Sequence, residues 1–285
     1  MIGRRKVGDG YPVYIVAEVG INHNGSLETA LALIDIAVAA GCDAVKFQKR
    51  SPDHCVPAPQ RNVPRKTPWG TMTYIQYRYR MEFATQAYDI IDRHCRNKGI
   101  AWFASCWDKA SVDFIKQYDP ACYKIASACL TDDELLKYIQ SQGKPVILST
   151  GMSTMEEIKK AVSVFHRRNL LIVHTTSNYT GTPEDLNLSV IHTLQNEFGC
   201  NTGYSGHEEG IVPTLATVPM GACYIERHVT LSRRMWGTDH GISLEPEELT
   251  RLVRDIRLIE KALGDGVKRV YESEKSTLEK LRNNA

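Results

Sequence analysis

The chain is poor in the features that mark most specialised proteins. No apolar run approaches the roughly 20 residues needed to cross a bilayer, so no membrane helix is expected. The opening Met1-Ile2-Gly3-Arg4-Arg5-Lys6 is basic, but no apolar core follows it, and no secretory signal is expected either. The formal net charge is only +2, without a recognition helix or zinc-finger spacing, which speaks against a nucleic-acid partner. Eight cysteines are scattered without a CxxC pair, and Cys42, Cys122 and Cys223 sit in or beside apolar elements. They read as reduced, buried thiols of a cytoplasmic protein. GxGxxG and Walker sequences are missing, which disfavours NAD or ATP.

What is present is a rhythm. Eight strand-like apolar segments, Val13–Ala17, Asp43–Val45, Ala101–Ala104, Cys122–Tyr123, Pro145–Leu148, Leu170–Val173, Thr202–Tyr204 and Ala222–Ile225, each run into residues suited to chemistry. Those residues are, in order, Glu18, Lys46 with Gln48, Ser105 with Cys106, Lys124 with Ser127, Ser149, His174 with Ser177, Ser205 with His207, and Glu226 with His228. Helical patterns alternate with the strands. Residues 27–40 follow the N-cap candidate Ser26, residues 153–164 begin with acids in the first turn, and 246–263 open on Pro246 and stop at Gly264. An α/β protein with a parallel sheet follows. Eight strands in 285 residues point to a single-domain (β/α)8 TIM barrel, whose active site is built from strand C-terminal ends, with a doubly wound open sheet as the alternative.

The barrel is expected over residues 1–264, with a long basic loop at 49–82 and a charged tail at 265–285. Between 49 and 80 the loop carries Lys49, Arg50, Arg61, Arg65, Lys66, Arg78 and Arg80 against Asp53 alone, with five prolines. It reads either as a lid over an anionic substrate or as a solvated basic loop.

His207 and His228 follow neighbouring strands, which sets two imidazoles side by side at the mouth. Such a pair suits Mn²⁺, Fe²⁺, Co²⁺ or Zn²⁺ and leaves coordination positions for a substrate carbonyl. Lys46 and Lys124 fit an ion pair with Glu18 or Glu226, or a phosphate or carboxylate clamp completed by Ser105, Ser127, Ser149 and Ser177. Asp239, in Trp236-Gly237-Thr238-Asp239-His240, fits an ordinary turn or a contact to polyol hydroxyls.

At these residues the chain resembles the sialic acid synthase family, enzymes that condense phosphoenolpyruvate with an amino sugar. Six motifs carry the resemblance in order: residues 17–25 (AEVGINHNG), 45–48 (VKFQ), 123–127 (YKIAS), 148–153 (LSTGMS), 204–207 (YSGH) and 226–228 (ERH). It implies that His207 and His228 hold a divalent metal, usually Mn²⁺, with Mg²⁺ or Co²⁺ as substitutes. It further implies that Lys46, Lys124, Ser149, Ser177 and Ser205 contact phosphoenolpyruvate and that Glu18 is the acidic catalytic group. Tyr179, Glu226 and Asp239 would face the acceptor, Asp239 joining Glu18, Lys46 and Lys124 in the catalytic set. A homodimer or higher homo-oligomer is the assembly implied.

Three departures stand out. Cys106 occupies a place where the family usually has threonine. The proline usual after Tyr179 is replaced by Thr180-Gly181. Residues 265–285 fall where the family's linker to a C-terminal antifreeze-like domain begins. The reaction the resemblance implies is addition of phosphoenolpyruvate to an open-chain sugar aldehyde, N-acetylmannosamine or a related hexose, giving a 3-deoxy-2-keto nonulosonic acid by C–O cleavage. A 3-deoxy-octulosonate 8-phosphate-type synthase, a metal-dependent hydrolase and a non-catalytic sugar-binding barrel are the alternatives.

Overall fold

In the computed structural model, which describes residues 1–178 and 182–282, eight parallel strands close into a barrel in sequential order. They are β1 (Tyr14–Gly20), β2 (Ala44–Lys49), β3 (Ala101–Cys106), β4 (Tyr123–Ile125), β5 (Val146–Ser149), β6 (Leu170–His174), β7 (Asn201–Gly206) and β8 (Tyr224–His228). Helices α1 (Leu27–Ala40), α2 (Thr85–Lys98), α3 (Lys109–Lys116), α4 (Asp133–Ser141), α5 (Met155–Val162), α6 (Val190–Phe198), α7 (Val212–Thr217) and α8 (Pro246–Leu263) fill the crossovers. None of the described helices is long and apolar enough to cross a membrane. The eight expected strands are all present, several running one to three residues further than their apolar stretch.

Two apolar layers hold the barrel, and strand alternation sorts residues between them. Ile15, Ala17, Val45, Phe47, Trp102, Ala104, Tyr123, Ile125, Leu148, Ile172 and Ile225 face outward, where they pack with Leu33, Ile34 and Ala37 of α1 and Leu249, Leu252 and Ile256 of α8. Tyr14, Val16, Ala44, Phe103, Ile147, Leu171, Val173 and Tyr224 fill the interior. Two residues further along each of those inward rows stand Glu18, Lys46, Ser105, Ser149 and Glu226. On β1, β2, β3, β5 and β8 the inward face is therefore oily at its N-terminal end and polar at its C-terminal end.

The helix ends follow the capping chemistry of the sequence. Ser26 caps α1 by accepting from the Thr29 amide, and Thr154 with Glu157 forms a reciprocal capping box on α5. Each such cap is worth about 1 kcal/mol. The long basic segment is ordered rather than a plain loop. It forms a short helix (Pro52–Cys55), an antiparallel hairpin (Pro64–Thr67 with Gly70–Thr73) and a helix (Tyr74–Met81) whose capping box joins Thr73 and Gln76.

Candidate active site

The strand ends converge on a cavity of about 170 Å³ lined by Glu18, Lys46, Gln48, Ser105, Trp107, Lys124, Ser127, Ser149, Thr175, Ser177, Ser205, His207, Glu226 and His228 among others. A larger cleft of about 510 Å³ lies at the opposite end of the barrel. Its described lining contains no lysine, histidine or serine, so the smaller cavity is the one equipped for chemistry.

Register explains the convergence. Glu18 pairs with Lys46 on β2 and with His228 on β8, Glu226 with Ser205, and Ser105 with Lys124. Inward residues at one height therefore meet across the barrel. Lys46 Nζ lies 2.9 Å from Glu18 Oε2 and 3.4 Å from Glu226 Oε1, and donates to Ser105 Oγ at 2.9 Å. Lys124 Nζ donates to both Glu226 oxygens at 3.2 Å. Glu226 also accepts from Ser205 Oγ at 3.1 Å and from the Tyr224 hydroxyl at 2.5 Å.

All four charged groups are buried. Burial pushes the Glu226 carboxyl upward, but Lys124 and then Lys46 outweigh it and hold the group well below the ordinary carboxylate range. Burial works against the Lys46 ammonium; Glu18 and Glu226 more than offset it, and Lys46 titrates above an ordinary lysine. Lys124 goes the other way. Its burial, with repulsion from Lys46, exceeds the pull of Glu226, so it gives up its proton more readily than a free lysine. The cluster is an ionised Glu226 shared by two unlike lysines, with two carboxylates balancing two ammoniums.

Beside it, Ser127, Ser149 and Ser177 form a hydroxyl wall around Gly151, whose amide donates to Ser127 Oγ at 3.1 Å. A Cβ on Gly151 would fall 2.2 Å from Ser177 Oγ and 2.8 Å from Ser127 Oγ, so any side chain here must displace those hydroxyls.

The imidazoles of His207 and His228 face each other with ring centroids 5.4 Å apart. His207 Nδ1 donates to the Thr176 carbonyl at 2.9 Å, which places the ring's lone pair on Nε2. Burial, aided by His228, lowers His207 to about 4, so the ring is neutral near pH 7. A neutral His207 ring anchored through its second nitrogen, faced by His228 from the adjacent strand, fits a divalent metal. Among the described residues no cluster of three or more His, Cys, Asp or Glu side chains forms a metal cage.

Several expected residues sit elsewhere. Cys106 lies on the outward face of β3, its thiol directed at the Ala104 and Ser111 carbonyls and its exposure 0%. It cannot touch a ligand in the cavity; the hydroxyl at this strand end comes from Ser105, one residue earlier. Glu226 is on the cavity floor among the lysines. Asp239 is buried outside the cavity lining, accepting from Thr238 Oγ1 at 2.6 Å and acting electrostatically on Tyr77 and His240. Tyr179 lies outside the described residues.

Other residues at the cavity were given no role in the sequence reading. Gln48 donates to Glu18 Oε1 at 3.1 Å, and Arg50 donates to Gln48 Oε1. Gln48 was legible by spacing, two positions beyond Lys46 on the same face of the strand. Trp107 and Thr175 line the cavity just past β3 and β6, where nothing but position marks them. In the 17–25 motif only Glu18 reaches the cavity lining. Asn22 donates to the Val229 carbonyl and to Ser243 Oγ, and Asn24 to the Trp236 carbonyl, tying the first loop to the last.

Six of the insertion's seven cations are committed. Lys49 and Arg50 meet Glu82, Arg61 meets Asp53, Arg65 lies over Tyr77 at 4.5 Å, Arg78 donates to the Tyr74 hydroxyl, and Arg80 covers Trp69 at 4.1 Å. Trp69 and Tyr77 each meet Trp236 of the last loop at 5.6 Å, edge to face. The insertion thus reaches from β2 to the loop after β8.

The sequence matches the NeuB family over residues 33–268. It is 37% identical over 275 residues to N,N'-diacetyllegionaminic acid synthase of Campylobacter jejuni, covering 94% of this chain and 82% of that relative. It is 36% identical to N-acetylneuraminate-9-phosphate synthase of Homo sapiens, covering 97% and 78%. The crystal structure of N-acetylneuraminic acid (sialic acid) synthetase from Leptospira borgpetersenii, in complex with citrate, superposes with a TM-score of 0.88 at 33% identity, covering 98% of this chain and 95% of that one. A barrel whose lysines, serines and paired imidazoles share one mouth, matched along most of these relatives, belongs to the NeuB family.

Proposed function

We propose that this protein condenses phosphoenolpyruvate with the open-chain aldehyde of a hexose-derived amino sugar, releasing phosphate and a 3-deoxy-2-keto nonulosonic acid. The observation that carries the reading is the single cavity to which all eight strands bring lysines, serines, carboxylates and imidazoles. Relatives named for legionaminic acid and N-acetylneuraminate 9-phosphate synthesis support the product class.

Phosphoenolpyruvate carries a phosphate and a carboxylate. Lys46 and Lys124 offset that charge, while Ser127, Ser149 and Ser177 supply neutral donors. The donors matter because the lysines are already balanced by Glu18 and Glu226. Carbon 3 of the enol attacks the sugar aldehyde, whose oxygen gains a proton, and positive charge develops at carbon 2. Glu18, held by Lys46 and Gln48, faces that charge and accepts a proton from the water that adds there. Cleavage of the carbon–oxygen bond then frees phosphate with that bond's electron pair, while the new hydroxyl on carbon 2 passes its proton to the departing phosphate and becomes the 2-keto group. A divalent ion on His207 and His228, which we take to be Mn²⁺, polarises the aldehyde carbonyl when bound. Asp239 and the loops around it serve the polyol end of the acceptor. We read the protein as a cytoplasmic homodimer: eight free thiols suit a reducing compartment, and the family resemblance implies the pairing.

Phosphate release from phosphoenolpyruvate with Mn²⁺ tests the reading across N-acetylmannosamine, a 2,4-diacetamido hexose, N-acetylmannosamine 6-phosphate and arabinose 5-phosphate. Chelator-sensitive release with a hexosamine-type sugar is expected, and arabinose 5-phosphate as the preferred acceptor would overturn it. His207→Ala and His228→Ala should each lose nearly all turnover; full activity in both would sink the metal assignment.

A further inference from the structure

The residues that follow and precede the two imidazoles form a buried ion pair that the reaction does not use. Glu208 comes directly after His207, and Arg227 directly before His228. Arg227 is an outward residue of β8, between the inward Glu226 and His228, and its register partner on β7 is Gly206. Its guanidinium lies 3.0 Å from Glu208 Oε1, with the two side chains 1% and 6% exposed. It also donates to the Glu208 carbonyl at 2.6 Å, the Gly210 carbonyl at 2.7 Å and Thr214 Oγ1 at 2.8 Å. The carboxylate is claimed twice more, by the Tyr204 hydroxyl at 2.9 Å and Thr214 Oγ1 at 2.5 Å. It folds back over Gly206, where a Cβ would stand 2.3 Å from Glu208 Oε2.

We propose that this network is a positioning clamp that fixes His207 and His228 at the separation a divalent metal requires. Arg227 grips two backbone carbonyls within three residues of His207, so the path of that loop is set from β8, the strand that carries His228. From the other side the Thr176 carbonyl holds the His207 ring. One imidazole is thereby referenced to the other through an arginine fork rather than through flexible backbone. A buried ion pair is a costly way to add stability alone, because desolvating two charges offsets most of their attraction. Its directional reach, from one guanidinium to the Glu208 carboxylate and two loop carbonyls, is what a site with two imidazole ligands needs. Tyr204, Glu208, Thr214 and Arg227 are positioning residues on this reading, which rests on the metal role of His207 and His228.

Mn²⁺ affinity of the purified full chain, read from the paramagnetic resonance of free and bound ion, tests the clamp. Circular dichroism and phosphoenolpyruvate binding report whether each variant has kept the barrel. Glu208→Gln keeps the shape and removes the charge; Tyr204→Phe removes one bond and spares the ion pair. Glu208→Gln should weaken Mn²⁺ binding about 10- to 100-fold and Tyr204→Phe about 3- to 10-fold, with an altered bound-Mn²⁺ spectrum in both. Should Glu208→Gln fail to fold, Tyr204→Phe decides alone. Wild-type Mn²⁺ affinity in the folded variants, alongside its loss in His207→Ala, would overturn the clamp and leave the metal reading standing. Unchanged affinity in His207→Ala would overturn both.

Discussion

The mouth of the barrel is built by two methods. The half we propose for phosphoenolpyruvate is carried on strands: Lys46, Ser105, Lys124, Ser149, Ser205 and Glu226 lie inside β2 to β5, β7 and β8, held by the barrel's own ladders. The half we propose for the acceptor is carried on loops: Trp69, Tyr77 and Trp236 lean on one another through ring edges and stacked arginines, with Asp239 beside them acting electrostatically on Tyr77. The first arrangement fixes positions through backbone hydrogen bonds, which do not depend on a particular side chain. The second rests on contacts worth about 0.5–1.5 kcal/mol each, which sequence change can rewrite. Relatives named for different nonulosonic acids fit that division, a constant donor substrate on the rigid half and a variable sugar on the other.

The sharpest break should come at the rim of the phosphoenolpyruvate half, where Gly151, Ser127 and Ser177 follow the ends of β5, β4 and β6. Gly151→Ala drives a methyl into Ser177 and Ser127, and overpacking at such a point costs about 1–3 kcal/mol. The Michaelis constant for phosphoenolpyruvate should therefore rise about 10- to 100-fold, with the acceptor constant within about twofold of wild type. Equal damage to both substrates would erase the division. Trp236→Ala makes the opposite cut. Losing its edges against Trp69 and Tyr77 and the Arg65 contact should raise the acceptor constant about 10-fold, leaving phosphoenolpyruvate unaffected. Steady-state kinetics with each substrate varied in turn reads both outcomes.

The same division governs what the sequence disclosed. Strand order and polarity were legible, because an inward row that is oily and then polar has one meaning in a barrel. Strand ends were not, since Lys46, Ser149, Ser205 and Glu226 interrupt the apolar runs while the ladders continue through them. Of the two residues read at the end of β3, Ser105 faces the cavity and Cys106 does not; the two-residue alternation from Phe103 to Ser105 points the hydroxyl inward and the thiol out. The insertion looked like a loop because of its prolines. Pro64 nonetheless opens a hairpin strand, a position where its missing N–H is tolerated, and Thr73 with Gln76 spells a helix start. The Arg227–Glu208 pair spans 19 residues between two strands, and no local pattern announces it. Long-range pairing of outward residues is what sequence periodicity carries least.

The smallest effect isolates the charge balance of the rigid half. Lys124 sits below the ordinary lysine range because burial and Lys46 act against its ammonium more than Glu226 supports it. An arriving phosphate or carboxylate favours the charged form, so binding must raise Lys124 and take up protons wherever the pH exceeds its unliganded value. At pH 9 the ligand's phosphate, with a second ionisation near about 6, is already fully charged and contributes no proton. Titration calorimetry in buffers of different ionisation enthalpy should then show uptake of less than about one proton per phosphoenolpyruvate, fading as pH falls and Lys124 enters protonated. Lys124→Arg should abolish the uptake, because guanidinium stays charged throughout. A binding enthalpy independent of buffer at pH 9 would mean that Lys124 carries its proton before the ligand comes. The two lysines would then be alike, and the cavity would meet its anion with both charges in place.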